Sequence, residues 1–208
     1  MDGVFMGKKW KCIGICLLVT LTVWAWTLIR DRQYLNQELI RLHVVANSDS
    51  EYDQNIKLQV RDAILDSLYE GMEDISDVQA AKTYLEENLT KIETVANHTL
   101  EKAGVDSRAV VSLCREAFDV RKYDTFTLPA GVYESLRVVI GEGQGKNWWC
   151  VAFPTLCMNA TTDAFETAAQ TAGMNQPLAQ TLSGKPEYQL RFFVLDLLGR
   201  AENLCFHE

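Results

Sequence analysis

An uncharged segment near the amino terminus places the strongest constraint on this chain. Residues 12–29, CIGICLLVTLTVWAWTLI, contain no charged side chain. As a helix rising 1.5 Å per residue, the segment would span about 27 Å, close to the thickness of the hydrocarbon core of a bilayer. Three lysines precede it, and basic residues favour the cytoplasmic side. The pattern therefore predicts residues 1–32 as a cytoplasmic stub plus a membrane helix, and residues 33–208 as one extracytoplasmic domain.

Two fates of this segment stay open, namely a cleaved signal peptide and a retained anchor. Val23, Trp24 and Ala25 resemble a small-residue cleavage site, but they lie inside the apolar run. We therefore favour a retained transmembrane anchor, with secretion after cleavage as the alternative.

The charge distribution argues against a nucleic-acid partner. The first 32 residues hold five of the 20 basic residues and two of the 28 acidic residues, which leaves a net charge of −11 for the remainder. Binding to phosphates requires clustered lysines and arginines, and an acidic body does not provide them. For the same reason, charge does not favour adhesion of the body to an anionic membrane surface.

The six cysteines divide by compartment. Cys12 and Cys16 lie in the apolar segment, whereas the other four would lie outside the cytoplasm, where disulfides can form. Four cysteines allow three pairings, and the sequence does not choose between them. We favour the short loop closed by Cys150 and Cys157. The four are Cys114, Cys150, Cys157 and Cys205.

The body begins with a predicted strand and two predicted helices. Residues 38–47 alternate between a wholly apolar side, expected to be buried, and a side with Arg41 and His43 that is compatible with solvent exposure. Ser48 and Glu51 have the spacing of a capping box for a helix that Gly71 ends. Ser76 is expected to cap a second helix, which runs to about residue 103.

The second half of the body favours strands. Strands are predicted at 108–123, 135–141, 148–153 and 188–198, with a helix at 163–172 and a loop after it. Helices and strands do not alternate regularly. The expected fold is therefore α+β, with a mixed or mainly antiparallel sheet and two long helices after the first strand.

The segment GEGQGKNWWC, residues 141–150, looks like a phosphate loop but fails the spacing tests. A P-loop would need glycine at Ile140 and serine or threonine at Asn147, and a dinucleotide motif would need glycine at Lys146. No spacing typical of metal ligands is present, since His43, His98 and His207 lie far apart. We expect no cofactor and no metal.

A hydrolase acting on cell wall or peptide is the alternative function. His43, Ser48 and Asp49 lie close together at a predicted strand end, where catalytic groups are often found. The chain lacks the GxSxG elbow of many hydrolases, and Ser48 and Asp49 are explained as helix caps. We therefore expect no catalytic residues.

Two long stretches resemble one protein family. They are IRLHVVANSDSEYDQNIKLQVRDAIL at 40–65 and LPAGVYESLRVVIGEGQGKNWWCVAFPTLC at 128–157, followed by RFFVLDLL at 191–198. Together they resemble the stage II sporulation protein R family of endospore-forming bacteria. The resemblance covers most of the chain after the apolar segment, except 70–115 and 158–186.

The resemblance implies a signalling protein rather than an enzyme. Members of the family are made in the forespore and exported into the space between the two cells. There they activate a membrane-embedded aspartic protease in the mother-cell membrane, which removes the pro-sequence of the early mother-cell sigma factor. The expected partner is that protease.

Two groups of residues are candidates for contact with this partner. The first is the glycine segment with the two tryptophans, of which one is expected to enter the core and one to stay available; both packing inside is the alternative. The second is the corner between the first strand and the first helix. The first group is Gly141, Glu142, Gly143, Gly145, Lys146, Asn147, Trp148 and Trp149; the second is Arg41, His43, Asn47 and Asp49.

Overall fold

The computed structural model describes residues 2–72, 74–154 and 162–206. The helices are α1 (Asp2–Gln37), α2 (Glu51–Met72), α3 (Val78–Lys102), α4 (Thr162–Thr171), α5 (Gln176–Leu182) and α6 (Gln189–Phe206). The strands are β1 (Ile40–Val45), β2 (Ala109–Phe118), β3 (Arg121–Lys122), β4 (Thr127–Leu128), β5 (Gly131–Ile140) and β6 (Asn147–Phe153). A 3₁₀ turn, Pro186–Tyr188, precedes α6.

Four strands form one mixed sheet in the order β2-β5-β1-β6. The central strands β1 and β5 are parallel, whereas β6 pairs with β1 and β2 pairs with β5 in the antiparallel sense. Strands β3 and β4 form a separate antiparallel pair. The expected α+β fold with a mixed sheet and two long helices after the first strand is confirmed.

The first core lies between one face of the sheet and the helices α2 and α3. Ile40, Leu42 and Val44 of β1 are completely buried in it, as the alternation predicts. The helical stripe of α2 packs against them because residues spaced by four share one face of a helix. Its members are Ile56, Val60, Ile64 and Leu68.

A second core covers part of the other face. The end of α1, together with α4, α5 and α6, packs there around Leu35, Leu39, Phe165 and Leu195, all completely buried. The start of β1 is therefore buried on both faces. The expectation of a solvent-facing Arg41 is wrong for this reason, since its exposed fraction is 0%.

Helix α1 continues without a break into the body. Among the described residues, one helix, Trp10–Gln37, is long and apolar enough to cross a membrane. Beyond the apolar run, Asp31 is buried against Arg191 of α6, and Arg32 pairs with Glu202 of α6. Residues 33–37, which precede the predicted first strand, are therefore helical, while the domain boundary after Arg32 stays a prediction.

The prediction of a strand at 188–198 is wrong. Tyr188 ends the 3₁₀ turn, and residues 189–198 form the first half of α6. The run YQLRFFVLDLL is apolar at most positions, so it carries neither a clear period of two nor one of 3.6. The helical conformation of this segment is therefore determined by its packing against distant parts of the chain. Leu195 and Gly199, four residues apart, are buried on one side, and Gly199 lies so close to the carbonyl of Ala130 that a Cβ would clash.

The helix predicted at 163–172 is confirmed as α4, but the loop after it contains α5. Gly173, with a φ of +88°, ends α4. Asn175 then caps α5 by accepting a hydrogen bond from the backbone N–H of Leu178 at 2.9 Å, and Pro177 lies in the first turn. Residues that suggested a loop are thus a helix stop and a helix start.

Two predicted caps are shifted. Ser50, rather than Ser48, accepts the hydrogen bond from the backbone N–H of Asp53 at 3.1 Å. Asp77, rather than Ser76, caps α3. Helix α2 also continues past Gly71, to Met72. Several polar residues in a row can each cap a helix, so the sequence did not fix which one does so.

Candidate partner-binding surface

Part of the second face of the sheet is left uncovered. Strand β5 begins at Gly131, beside Arg32 of α1, and ends at Ile140, where β1 also ends. At that far end, directly opposed residues share the face. One row is Ser112, Arg137, His43 and Trp149, and the next is Val110, Val139, Val45 and Asn147. We call these two rows, with Glu116, the open face.

The open face combines exposed apolar and charged side chains. Val110 is 61% exposed, and the side chain of Arg137 is 44% exposed. Ser112 and Val139 are half-buried, and Asn147 is exposed. Since Val45 is buried and Val139 is half-buried, Val110 is the exposed apolar residue of the open face, and with Arg137 and Asn147 it makes this face a candidate for contact with a partner.

His43 organises the polar part of this surface. Its Nδ1 lies 3.1 Å from the Glu116 carboxylate, and its Nε2 lies 3.0 Å from Oδ1 of Asn147. Arg137 lies 3.6 Å from the same carboxylate. Both ring nitrogens of His43 therefore face side-chain oxygens, so the ring bridges Glu116 and Asn147.

The Glu116 carboxyl is held in its charged form. Burial alone would raise its pKa, but the hydrogen bond to His43 and the electrostatic interactions with His43 and Arg137 outweigh burial, so the pKa lies below its ordinary value. The interactions of His43 and Arg137 with Glu116 therefore stabilise the folded protein when Glu116 is ionised.

The glycine segment wraps around the end of β1, so the two predicted contact groups adjoin each other. The backbone N–H groups of Gln144 and Gly145 donate to the carbonyls of Asn47 and Ala46 at 3.1 and 2.9 Å. That of Glu142 donates to Oδ1 of Asn47 at 3.0 Å. These donors are already used within the protein, which is a further argument against a phosphate loop.

The loop also closes on the start of α2. Lys146 donates its backbone N–H to Asp49 Oδ1 at 2.6 Å. The ammonium group of Lys57, which is 5% exposed, donates to the carbonyl of Lys146 at 2.9 Å and to Gln54 at 2.7 Å. Burial, with Arg61 and Lys146 nearby, lowers the pKa of Lys57. The loop is thus fixed from both sides.

Two glycines permit this close approach. Gly143 has a φ of +63°, and a Cβ there would lie 2.6 Å from a methyl group of Val139 on the open face. A Cβ on Gly145 would lie 2.2 Å from the backbone oxygen of Ser48. The spacing of glycines that suggested ligand binding is required by the loop's own packing.

The two tryptophans point to opposite faces of the sheet, as their adjacent positions predict. Trp148 packs on the first core, with the guanidinium of Arg61 4.9 Å from its ring centroid. Trp149 packs on the second core, between His43 at 5.7 Å and Arg121 at 3.5 Å. Both rings are half-buried. Their contact with a partner stays a prediction, and Trp149 is the one on the open face.

Arg41 has a packing role. Its Nη2 donates to the Tyr123 hydroxyl at 2.7 Å and its Nε to the carbonyl of Cys150 at 3.1 Å. The guanidinium lies 4.3 Å from the ring centroid of Phe118 and 5.1 Å from that of Tyr133. Since it is completely buried, Arg41 cannot reach a partner in this conformation.

The residues considered for hydrolysis do not form a catalytic relay. The hydroxyl of Ser48 donates to Asp53 at 2.5 Å, and Asp49 accepts from Lys146. His43 instead faces Glu116 and Asn147. Serine, histidine and aspartate are thus each engaged with a different partner, whereas nucleophilic catalysis needs them in one chain of hydrogen bonds.

The cysteines and possible metal ligands can be placed only in part. Cys150 is disulfide-bonded, but Cys157 lies outside the described residues, so their pairing stays a prediction. Cys114 and Cys205 are free thiols. Within 2–72, 74–154 and 162–206, no group of three or more histidine, cysteine, aspartate or glutamate residues could hold a metal ion.

The sequence did not point to Glu116, Arg121 and Arg137, which hold His43 and Trp149 in place. A signal was present in the strand predicted at 108–123. Ser112, Cys114 and Glu116 alternate along it and give it one polar side. Which strand brings its polar side to His43, however, depends on the order of strands in the sheet.

Comparison with known proteins gives one family. The family model of stage II sporulation protein R matches residues 36–163. A stage II sporulation protein R from Bacillus subtilis (strain 168) is 37% identical over 120 residues, which are 58% of this chain and 54% of that protein. The match thus spans about half of the relative's length. No solved structure matches the chain. Since the family model covers more than half of the residues, the chain belongs to the stage II sporulation protein R family.

Proposed function

We propose that this chain is an exported signalling protein of sporulation. Its open face binds the extracytoplasmic part of a membrane-embedded aspartic protease, and the activated protease then processes the pro-form of the early mother-cell sigma factor. The observation that carries the proposal is the position of the open face. All its residues lie on β1, β2, β5 and β6, inside the segment 36–163 that matches the family.

The open face suits a protein partner. It presents arginine and tryptophan, the side chains that most often carry interface energy, beside apolar and polar neighbours. The glycine segment borders the open face, and its hydrogen bonds hold it in one conformation. A surface fixed in this way loses little conformational entropy on binding.

The start of β2, an edge strand of the sheet, is already hydrogen-bonded within the protein. On β2, the backbone N–H and carbonyl of Ala109 are bonded to Asn97, and the N–H of Val111 is bonded to Glu93. These groups are unavailable to an added strand, the usual mode of binding at a sheet edge. The occupied start of the β2 edge thus favours contact of the protease with the face of the sheet.

The topology agrees with export. Helix α1 can cross the forespore membrane, with the lysines on the cytoplasmic side and the body in the intermembrane space. We favour a retained anchor, since the last turns of α1 pack into the second core. Cleavage before Leu28 would release the body with these turns intact, because Leu28 is the first residue of that core.

The role requires no catalysis by this chain. To test this against the hydrolase alternative, the purified protein is incubated with peptidoglycan and with the extracytoplasmic segment of the protease. Saturable binding without turnover supports the messenger. Release of muropeptides or peptide fragments contradicts it.

Deletion and complementation in a sporulating host test the function itself. We expect the pro-sigma factor to stay unprocessed after deletion and to be processed again with the wild-type chain. Trp149→Ala and Arg137→Glu should restore little processing at normal protein level. The matched control is Glu87→Lys on the exposed side of α3. If both open-face variants restore processing as fully as the control, the open face is not the contact.

A further inference from the structure

Helix α6 carries apolar side chains on the side that faces away from the body. Leu190 is 67% exposed, Phe193 61%, Leu197 55% and Leu204 74%. Leu190, Leu197 and Leu204 follow each other at intervals of seven, which places them along one side of a helix. Surface helices of globular proteins normally present polar residues on this side.

The charged residues of α6 are mostly turned toward the body. Arg191 binds Asp31, Glu202 binds Arg32, and Asp196 accepts from the backbone N–H of Ala130 at 2.9 Å. Arg200, with its side chain 58% exposed, is the remaining charged residue of the helix. The ion pairs thus hold α6 in an orientation that keeps its apolar side outward.

These ion pairs also fix where α6 lies along α1. The uncharged run ends at Ile29, and Asp31 is two residues further, which is about 3 Å along a helix axis. Trp24 and Trp26, 40% and 64% exposed, lie just before this point, and tryptophans are enriched where a helix leaves the bilayer. The first turns of α6 are therefore held at the level of the membrane surface.

We infer that α6 is an interfacial helix, whose side formed by Leu190, Phe193, Leu197 and Leu204 inserts into the boundary between headgroups and acyl chains of the membrane that α1 spans. Apolar side chains rather than charge drive this contact, so it suits zwitterionic lipid and does not conflict with an acidic body. The inference rests on the retained anchor proposed above. It adds a second contact that would limit how the body tilts on α1.

Photo-crosslinking of the full chain in liposomes tests the inference. The chain is reconstituted in phosphatidylcholine vesicles that contain a trace of acyl-labelled lipid. Benzoylphenylalanine replaces Phe193 or Leu197 in separate variants. Leu18, in the apolar run of α1, is the positive control, and Glu87, exposed on α3, is the negative control. The measurement is lipid label attached to the protein after irradiation.

We expect label at positions 193 and 197 several-fold above that at 87. Label at 18 but only background at 193 and 197 overturns the inference and leaves the anchor intact. Background at 18 as well refutes the anchored arrangement, and the inference with it. A crosslinked dimer through 193 or 197 without lipid label would assign this side of α6 to a second copy of the chain instead.

Discussion

Asn97 of α3 closes the outer edge of β2, and its replacement by alanine should destabilise the protein markedly. Its Oδ1 accepts from the backbone N–H of Ala109 at 2.9 Å, and its Nδ2 donates to the carbonyl of Ala109 at 3.0 Å. Ala109 is only 2% exposed, so water cannot easily replace the amide. Asn97 also begins an Asn-His-Thr glycosylation sequon, but its amide is engaged within the fold.

The magnitude follows from the two groups left without a partner. A buried backbone group that loses its hydrogen bond costs about 1–3 kcal/mol, or about 2–6 kcal/mol for both. Alanine favours a helix over asparagine by about 0.5 kcal/mol, which offsets a small part. The expected net loss of about 1.5–5.5 kcal/mol corresponds to a fall in Tm of about 3–22 °C for a chain of this size.

Asn88→Ala is the matched control, because Asn88 is half-buried on the same helix and donates to the carbonyl of Tyr84 in that helix at 2.8 Å. Its loss should change the free energy of unfolding by less than about 1 kcal/mol. The assay is thermal unfolding of both variants in the same detergent. Equal shifts in Tm for Asn97→Ala and Asn88→Ala would refute the role of Asn97 in satisfying the backbone of Ala109 at the edge of the sheet.

Three further predictions concern the glycine segment, the junction with α1 and pH. Gly143→Ala should lower Tm more than Gly104→Ala, because both have positive φ but a Cβ clashes only at Gly143, and equal shifts would contradict this. A truncated protein of residues 26–208 should unfold cooperatively in a thermal melt followed by circular dichroism. One of residues 33–208, which lacks the buried Asp31 and Arg32, should not, and equally cooperative melts would contradict this. Because the pKa of Glu116 is lowered on folding, Glu116→Gln should lose stability at neutral pH, and its deficit should shrink as pH falls through that lowered pKa; a deficit independent of pH would contradict the linkage.

Much of the fold could be predicted because its signals are local. The alternation in β1, the four-residue spacing in α2 and the stop at Gly104 after α3 each depend on neighbours in sequence. Helix α6 could not be predicted in this way, since its apolar residues do not reveal a period. Its conformation depends on Leu195 and Gly199 meeting distant parts of the chain.

The candidate surface was predictable only in pieces. The glycine segment and the β1 corner were both selected from sequence, and their hydrogen bonds show that they adjoin. The burial of Arg41 was not predictable, because its side chain is enclosed by Phe118, Tyr123 and Tyr133, which lie far from it in sequence. Similarly, the pairing of His43 with Glu116 depends on β5 lying between β1 and β2.

Binding between the full chain and the extracytoplasmic segment of the protease tests the central claim most directly. The chain is held in nanodiscs, and the affinity is measured for the wild type, Arg137→Glu and the control Glu87→Lys. We predict saturable binding that Arg137→Glu weakens by about tenfold or more, a loss of about 1.4 kcal/mol, while Glu87→Lys binds like the wild type. No binding by the folded wild type, or equal affinities for all three, would contradict the account.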